Sequence, residues 1–272
     1  MNFLFVLSNQ YLFAQNSDVI QKNNLSYDKN TGKYFNPNQI DFSKKYLDIL
    51  LSSNSHNELD KYYLYNCDSI WQTQNFQQNG IIGKNYQRIQ FHIDNALKSN
   101  ENSDLYYITG KSKVNNNICN FSGTIELLKL YCYECDFDST TTCGYLIGQY
   151  VFYEDSTQNH SGIFKGIMSC DIYIDKKNKR ILLDESMDVA DGYQNRTYVG
   201  VWVDYHTKLS KKCIWGDYRL PFTFDFDCGD GEMIVCEKYV KNGWETYNDY
   251  SEYSISEDKT VYLKNKWWIR PN

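Results

Sequence analysis

The sequence predicts a mainly β protein, in which an antiparallel meander closes into a barrel or a sandwich after two short N-terminal helices. The first observation is a recurring unit: an aromatic residue, any residue, a glycine, and an apolar residue soon after. It occurs around Gly123, Gly166 and Gly200, and more loosely around Gly110. Each copy lies in a segment rich in Tyr, Ile, Val and Phe, as in strands that bend or pack closely at glycine. The second observation is the absence of a strand–helix–strand rhythm, which disfavours a parallel α/β fold.

The composition fits one large β domain and disfavours a nucleic-acid binder. The chain has 272 residues, of which 42% are hydrophobic and 17% aromatic, so a sizeable core can be buried. The net charge is −6 and no dense Lys/Arg run occurs, whereas a non-specific nucleic-acid binder needs a basic face. No later apolar stretch is long enough to span a membrane. We therefore expect neither a nucleic-acid partner nor a transmembrane segment.

Residues 1–15 have the pattern of an export signal. A short apolar run from Phe3 to Ala14 precedes Gln15; it is too short to span a bilayer and resembles the apolar region and cleavage end of a signal. An Ala–Gln ending resembles the exported proteins of Bacteroidota in particular. A buried N-terminal strand is the alternative. Export implies a periplasmic or extracellular protein, and no cysteine directly follows the predicted cleavage point to indicate a lipid anchor.

The nine cysteines are compatible with export. Their odd number leaves at least one without an intrachain partner. Cys135 and Cys143 flank a polar loop that a disulfide can close, and Cys228 and Cys236 flank another candidate turn. A thiol-rich cytosolic protein is the alternative interpretation.

Residues 16–79 are predicted to form an irregular arm and two short helices that pack on the main domain. Asp41 can cap the first helix, whose apolar residues at helical spacing are Phe42, Tyr46, Leu47, Leu50 and Leu51. Ser55 and Glu58 have the spacing of a capping box for the second helix. So few residues cannot bury a core alone, so an independent helical domain is not expected.

Residues 80–272 are predicted to form the antiparallel β domain, with about ten strands in sequence-adjacent hairpins. The predicted strands include residues 83–93, 105–114, 118–132, 144–153, 162–174, 180–184, 197–205, 212–218, 222–226 and 233–240. The last segments, 251–255 and 260–269, are expected to close the sheet. Asn115 to Asn117 form a predicted hairpin turn, because asparagine tolerates left-handed backbone angles. The lysines around Asn178 are predicted to form a second hairpin tip.

Closure into a barrel is the best way for such a meander to hide its edges. The Gly-x-Trp element at Gly200, Val201 and Trp202 resembles that of lipocalin-like, calycin-type barrels. In lipocalins this element lies on the first strand, whereas here it comes late in the chain. The resemblance implies a closed antiparallel barrel, and no ligand is carried over on it.

Two segments are the candidate sites. The first is aromatic and carries an Asp/Arg pair at a strand end, where loops cluster at a barrel mouth. Its candidate ligand-binding residues are Trp202, Trp215, Asp217, Tyr218 and Arg219. Packing in the core is the alternative role for these rings. No residue is predicted to be catalytic, because the histidines are scattered and no G-x-S-x-G elbow occurs.

The second candidate site is an acidic, glycine-containing segment that resembles a calcium loop in composition. Asp225, Asp227 and Asp230 offer the oxygen ligands that a hard cation prefers, although the spacing is not that of an EF-hand. A plain turn is the alternative, because Asp230 and Gly231 form a strong hairpin signal. Apart from this possible calcium ion, no cofactor is expected.

Three functions are compatible with the sequence. The first is an exported, non-enzymatic binding protein, whose partner is a small apolar or sugar-like ligand or a protein of the cell envelope. The second is a carboxylate- or calcium-dependent hydrolase that acts on envelope polymers. The third is a structural subunit of an envelope complex. A deep pocket lined by tryptophans favours a small ligand, whereas a filled core with a flat aromatic patch favours a protein partner.

Overall fold

The structure, a computed structural model, describes most of the chain. The described residues are 21–22, 25–28, 33–35, 42–52, 56–73, 76–134, 141–188, 190–247, 253–255, 261–263 and 266–269. The predicted export signal, Asp41, Ser55 and Cys135 lie outside them. The described helices are α1 (Phe42–Leu51), a 3-10 helix (Leu59–Tyr62), α2 (Asp68–Trp71) and α3 (Glu237–Val240). None of the helices in these parts of the chain is both long and apolar enough to cross a membrane.

The main domain is a closed antiparallel β-barrel. Its sheet contains β4 (Gln78–Ile82), β5 (Gln87–Lys98), β6 (Leu105–Val114), β7 (Asn117–Glu134), β8 (Thr142–Glu154), β9 (Gly162–Asp175), β10 (Arg180–Leu183), β11 (Gln194–Asp204) and β12 (Ser210–Tyr218). All except β10 form the eight-stranded barrel, in the order β4-β5-β6-β7-β8-β9-β11-β12, and β12 pairs again with β4. The predicted antiparallel meander is confirmed, and the barrel is the correct alternative.

The predicted first helix and hairpin turns are also confirmed. The helix predicted over residues 42–51 is α1, which buries Phe42, Tyr46 and Leu50. Asn115 adopts the left-handed conformation, with φ 52°, in the turn between β6 and β7. Lysines form the tip between β9 and β10, where Asp175 accepts hydrogen bonds from Asn178. Local sequence signals therefore identified these elements.

The N-terminal region differs from the prediction in two places. The arm contains a small antiparallel sheet of β1 (Gln21–Lys22), β2 (Leu25–Asp28) and β3 (Lys33–Phe35). The second helix is a single 3-10 turn, in which Glu58 forms no side-chain cap and instead binds Lys61 (2.8 Å). Asn57 accepts the N–H of Leu59 (3.1 Å) and holds this turn.

The strands predicted over residues 222–226 and 233–240 are wrong. Phe222 and Phe224 have φ values of 55° and 54°, which are incompatible with a strand. Only an isolated antiparallel bridge joins Asp227 to Val235, and α3 occupies the end of the second segment.

The closing strands predicted near the C-terminus do not close the barrel. They contain β13 (Tyr253–Ile255) and β14 (Val261–Leu263), which pair only with each other among the described strands. The physical reason is that β12 already pairs with β4, so no barrel edge is left for them.

Aromatic rings fill the described centre of the barrel. The indole of Trp215 is stacked between Phe91 (centroids 4.0 Å apart) and Tyr198 (4.7 Å). Four further rings pack around this stack: Phe121, Tyr150, Phe152 and Phe164. All seven rings are buried. The interior is therefore a packed aromatic core.

The recurring glycines leave room for neighbouring strands and for these rings, because they have no side chain. Gly166 of β9 and Gly200 of β11 lie directly opposite each other. A Cβ atom on Gly200 would lie 2.1 Å from the carbonyl oxygen of Lys165 and 2.6 Å from the hydroxyl of Tyr150. Both positions thus allow close approach of two strands and one ring, which is the role predicted for them.

We expect Gly200→Ala to lower the free energy of unfolding by at least about 3 kcal/mol, because the added methyl meets rigid backbone. Gly148→Ala is the matched control, since its Cβ would come no closer than 3.0 Å to its neighbours. We expect it to cost only about 1 kcal/mol. Urea unfolding measures both; equal losses would contradict the role assigned to Gly200.

Candidate functional site at a split in the barrel wall

The barrel wall divides along one edge of β9. From Gly162 to Ser169 this edge pairs with β11, whereas from Ile172 to Asp175 it pairs with β10. Asp171 lies at the point of division. Its N–H donates to Oδ1 of Asn195 (3.0 Å), and its carbonyl accepts the N–H of Asp184 (3.0 Å). A side chain thus replaces a strand partner, which satisfies the backbone while the two strands diverge.

We call this region the wall split and define it by Asp171, Asp184, Asn195, Arg196 and Asp217. A β-bulge forms its β11 side, because the register with β12 shifts between Asn195 and Tyr198. Arg196 within this bulge has φ 38°. Bulges commonly redirect a side chain next to a functional site. The sheet here is therefore irregular in both pairing and backbone conformation.

A buried ion pair holds the interior side of the wall split. Nε of Arg196 donates to Oδ2 of Asp217 (2.5 Å), and Gln78 donates to the other carboxylate oxygen (3.0 Å). Arg196 also donates to the carbonyl of Ile70 in α2 (3.2 Å) and lies 4.8 Å from the ring centroid of Phe76. Both charges are almost fully buried, so removing one partner would leave the other uncompensated.

The outer side of the wall split carries a carboxyl group that titrates near neutrality. Burial, and then the charge of Asp184, raise the pKa of Asp171 from 3.8 to about 7. Close by on the same face of β9, Ser169 is hydrogen-bonded to the hydroxyls of Tyr46 (2.6 Å) and Tyr145 (2.7 Å). Burial raises the pKa of Tyr46 to about 12, so this hydroxyl stays protonated while Asp171 titrates.

Three of the sequence-predicted ligand residues lie at or beside the wall split. Asp217 belongs to it. Tyr218 is half-exposed, and its ring lies 5.1 Å from that of Tyr193. Arg219 donates through Nε to Oδ2 of Asp227 in the acidic loop (2.6 Å). Tyr218 is therefore held between two ion-paired neighbours, in a left-handed conformation (φ 61°) that costs a bulky residue about 1–2 kcal/mol.

The two predicted tryptophans lie elsewhere. Trp215 is at the centre of the aromatic core and is fully buried. Trp202 lies near the opposite end of β11 and donates through Nε1 to Oε2 of Glu154 (2.9 Å). The structure thus does not bring Trp202 and Trp215 to one surface with Tyr218. Whether any of these residues binds a ligand stays a prediction.

The acidic loop is held by side chains of this chain. Asp225 accepts hydrogen bonds from Lys238 and from Tyr239 (3.0 Å). Asp227 binds Arg219 and also accepts the N–H groups of Gly229 (2.9 Å) and Ile234 (3.1 Å). In the described parts of the chain, no three His, Cys, Asp or Glu side chains are grouped so as to hold a metal. Calcium binding at Asp225, Asp227 and Asp230, one of two alternatives that the sequence left open, stays untested, and cationic side chains of this chain already bind two of the three carboxylates.

A disulfide between Cys228 and Cys236 closes this loop, as their positions around the turn suggested. Cys143 is also disulfide-bonded, and Cys135, its predicted partner, lies outside the described residues. The other described cysteines have free thiols; they are Cys67, Cys119, Cys132, Cys170 and Cys213. Burial raises the pKa of Cys67 to about 12, so that thiol is unreactive at neutral pH.

Sequence reasoning missed Asp171, Asp184, Asn195 and Arg196. The available signal for Asp171 was an acidic residue between Cys170 and Ile172 in an otherwise apolar run. No local signal shows that β9 changes partner there, because the partners come from distant parts of the chain.

The chain matches no protein-family model, no curated protein and no solved structure. Its closed eight-stranded antiparallel barrel is consistent with the lipocalin-like fold that the Gly-x-Trp element suggested. A fold by itself does not assign a function, which depends on the residues of the site.

We expect added calcium to leave Tm unchanged relative to a chelator, because Asp225 and Asp227 are already paired with cationic side chains. Differential scanning calorimetry of the whole protein measures this. A calcium-dependent rise in Tm that Asp227→Asn abolishes would instead establish the metal site.

Proposed function

We propose that this protein is an exported, non-enzymatic binding protein that takes a sugar-like ligand at the wall split. The observation that carries the proposal is Tyr218, whose half-exposed ring is held in a strained conformation beside a buried ion pair. Strain of this kind persists where the surrounding structure fixes it, and it is concentrated at functional sites. An exposed aromatic face that is fixed in place needs no ordering when a ligand stacks on it.

The aromatic core argues against a small apolar ligand in the barrel centre. Phe91, Trp215 and Tyr198 are stacked where a lipocalin-like carrier would hold its ligand. Trp215 also lies directly against Gly80, where no side chain fits. The outer surface is therefore the better place for recognition.

The groups around Tyr218 suit a ligand rich in hydroxyl groups. Burial, followed by the charges of Asp188, Asp217 and Glu185, raises the pKa of Tyr218. Because Arg196 and Gln78 already bind Asp217, the exposed Asp188 and Glu185 are the carboxylates of this group that remain for a ligand. Carboxylates accept hydrogen bonds from hydroxyl groups, while an aromatic face stacks on the apolar face of a sugar ring. A sugar-like ligand uses both kinds of group.

The disulfides support an exported location. Cys228 and Cys236 are bonded, and disulfides persist in oxidising compartments and are rare in the cytosol. Together with the signal pattern of residues 1–15, this favours the periplasm or the extracellular space over a thiol-rich cytosolic protein.

We expect Tyr218→Ala to weaken binding of soluble hexose and N-acetylhexosamine oligosaccharides about tenfold, the equivalent of one lost ring stack. Tyr153→Ala is the matched control, because Tyr153 on β8 has a similar exposure (51% against 53%). Isothermal titration calorimetry measures both variants. Equal losses in the two variants, or no binding by the unmodified protein, would reject the proposal; capture of an envelope protein without sugar binding would favour a protein partner.

A carboxylate-dependent hydrolase is the second candidate, favoured by the neighbouring carboxyl groups of Asp171 and Asp184. A carboxyl with a pKa of about 7 can act as a general acid at neutral pH.

The titration of Asp171 makes the free energy of unfolding depend on pH in a definite direction. Because the folded-state pKa is raised, the folded protein binds more protons than the unfolded one between pH 3.8 and about 7. We expect the free energy of unfolding to fall as pH rises through this range, and Asp171→Asn to remove that fall. Asp175→Asn is the control, because its carboxylate lies in an exposed hairpin tip and its pKa is lowered instead. Identical profiles for Asp171→Asn and the unmodified protein would contradict the assigned titration.

Glycan cleavage that Asp171→Asn abolishes would favour the hydrolase.

A further inference from the structure

A second apolar cluster covers the outside of the barrel. Helix α1 and residues 220–226 lie over the outward-facing side chains of neighbouring barrel strands. Its buried members include Ile81, Ile147, Ile167, Val199 and Ile214 from the wall, and Phe42, Tyr46, Leu220, Phe222 and Phe224 from the covering elements. Lys212 of β12 points into this cluster and is only 3% exposed.

Aromatic rings from three different elements surround the amino group of Lys212. Nζ lies 4.6 Å from the ring centroid of Tyr86, 5.3 Å from that of Phe224 and 5.4 Å from that of Phe42. It also donates to the carbonyl oxygen of Phe222 (3.5 Å). All three rings are within the distance at which the negative face of a π system attracts a cation.

Burying a lysine here is unfavourable if the side chain serves only to pack the cluster. In the described structure Lys212 has no ion pair, and the carboxylate that acts on it, Asp225, is already bound by Lys238 and Tyr239. Burial lowers the pKa of Lys212 to about 7. A methionine of similar length would avoid this desolvation.

The backbone around the amino group is also strained. Tyr86, Phe222 and Phe224 have φ values of 51°, 55° and 54°. A left-handed conformation is rare for a bulky residue, and three of them around one amino group form a group of outliers. Rings and carbonyl are therefore directed at this position at the expense of local backbone geometry.

We propose that Phe42, Tyr86 and Phe224 form a built ammonium site that the chain fills with its own Lys212, and that a small alkylammonium ion can take the place of that side chain. The ligand class follows from the donors: three ring faces and one carbonyl oxygen attract a compact cation with an N–H group. The site lies on the outer wall of β12 and is independent of the sugar-like ligand proposed above.

The test removes the internal ligand and supplies an external one. Lys212→Ala leaves the rings and opens space for n-propylammonium, and 1-propanol is the uncharged probe of similar shape. At pH 6, below the pKa of about 7 that this environment gives an amine, we expect propylammonium chloride to raise the Tm of Lys212→Ala by a few degrees in a saturable way, above the effect of sodium chloride at equal ionic strength. We expect 1-propanol not to raise it.

Lys211→Ala is the matched control. Lys211 is the neighbouring residue of β12, exposed, with its amino group 4.9 Å from the ring centroid of Trp202. Its removal opens no enclosed site, so propylammonium should not raise its Tm. A rise in both variants, an equal rise with 1-propanol, or no rise with either compound would overturn the proposal.

If Lys212→Ala does not fold, its refolding yield from urea in the presence of each compound provides the same comparison. Recovery with propylammonium and not with 1-propanol supports the ammonium site. Recovery with both or with neither overturns it.

Discussion

Rings and glycines inside the barrel form a single constraint on which the rest of the structure depends. A Cβ atom on Gly80 would lie 2.4 Å from Cβ of Trp215, and one on Gly166 would lie 2.9 Å from the hydroxyl of Tyr150. Because β4 has to approach β12 this closely, the packing that fills the interior is also the packing that closes the barrel. Because protein interiors are packed as densely as organic crystals, the filling of the interior and the closure of the barrel cannot change independently.

This constraint moves chemistry to the wall and to its outer surface, where Arg196, Asp171 and Lys212 show three ways of accommodating an ionisable group. Arg196 is neutralised by Asp217. Asp171 has no cation among the groups that set its pKa and holds a proton near neutrality instead. Lys212 is surrounded by rings. Burial without compensation is unfavourable for each charge, and the three environments supply an opposite charge, a bound proton and a set of aromatic rings, respectively.

Sequence reasoning worked where the determinants are local. Alternating β-prone residues, the left-handed Asn115 and the spacing of Cys228 and Cys236 each depend on a few neighbouring residues, and these predictions agree with the structure. It failed at Phe222 and Phe224, because phenylalanine favours strands while the outer cluster holds both residues in a left-handed conformation.

The candidate site was predictable only in part for the same reason. Asp217, Tyr218 and Arg219 follow one another along the chain, so an aromatic residue flanked by charges at a strand end was visible. The remainder of the wall split joins residues 171, 184 and 195, and its geometry arises from a change of strand partner. The ammonium site is less local still, since Phe42 and Phe224 meet there across most of the chain.

The segment that contains Asn66 and Ile70 contacts both sides of the wall split. Asn66 forms a parallel bridge with Arg180, and its carbonyl accepts the N–H of Ile181 (2.9 Å). β10 is therefore contacted at Arg180 and Ile181, while Arg196 donates to the carbonyl of Ile70 in the same segment. This segment thus contacts both sides of the wall split, β10 through Asn66 and Arg196 of β11 through Ile70. These contacts occupy β10 at Arg180 and Ile181, which makes strand addition by another chain less favourable at that end of the strand.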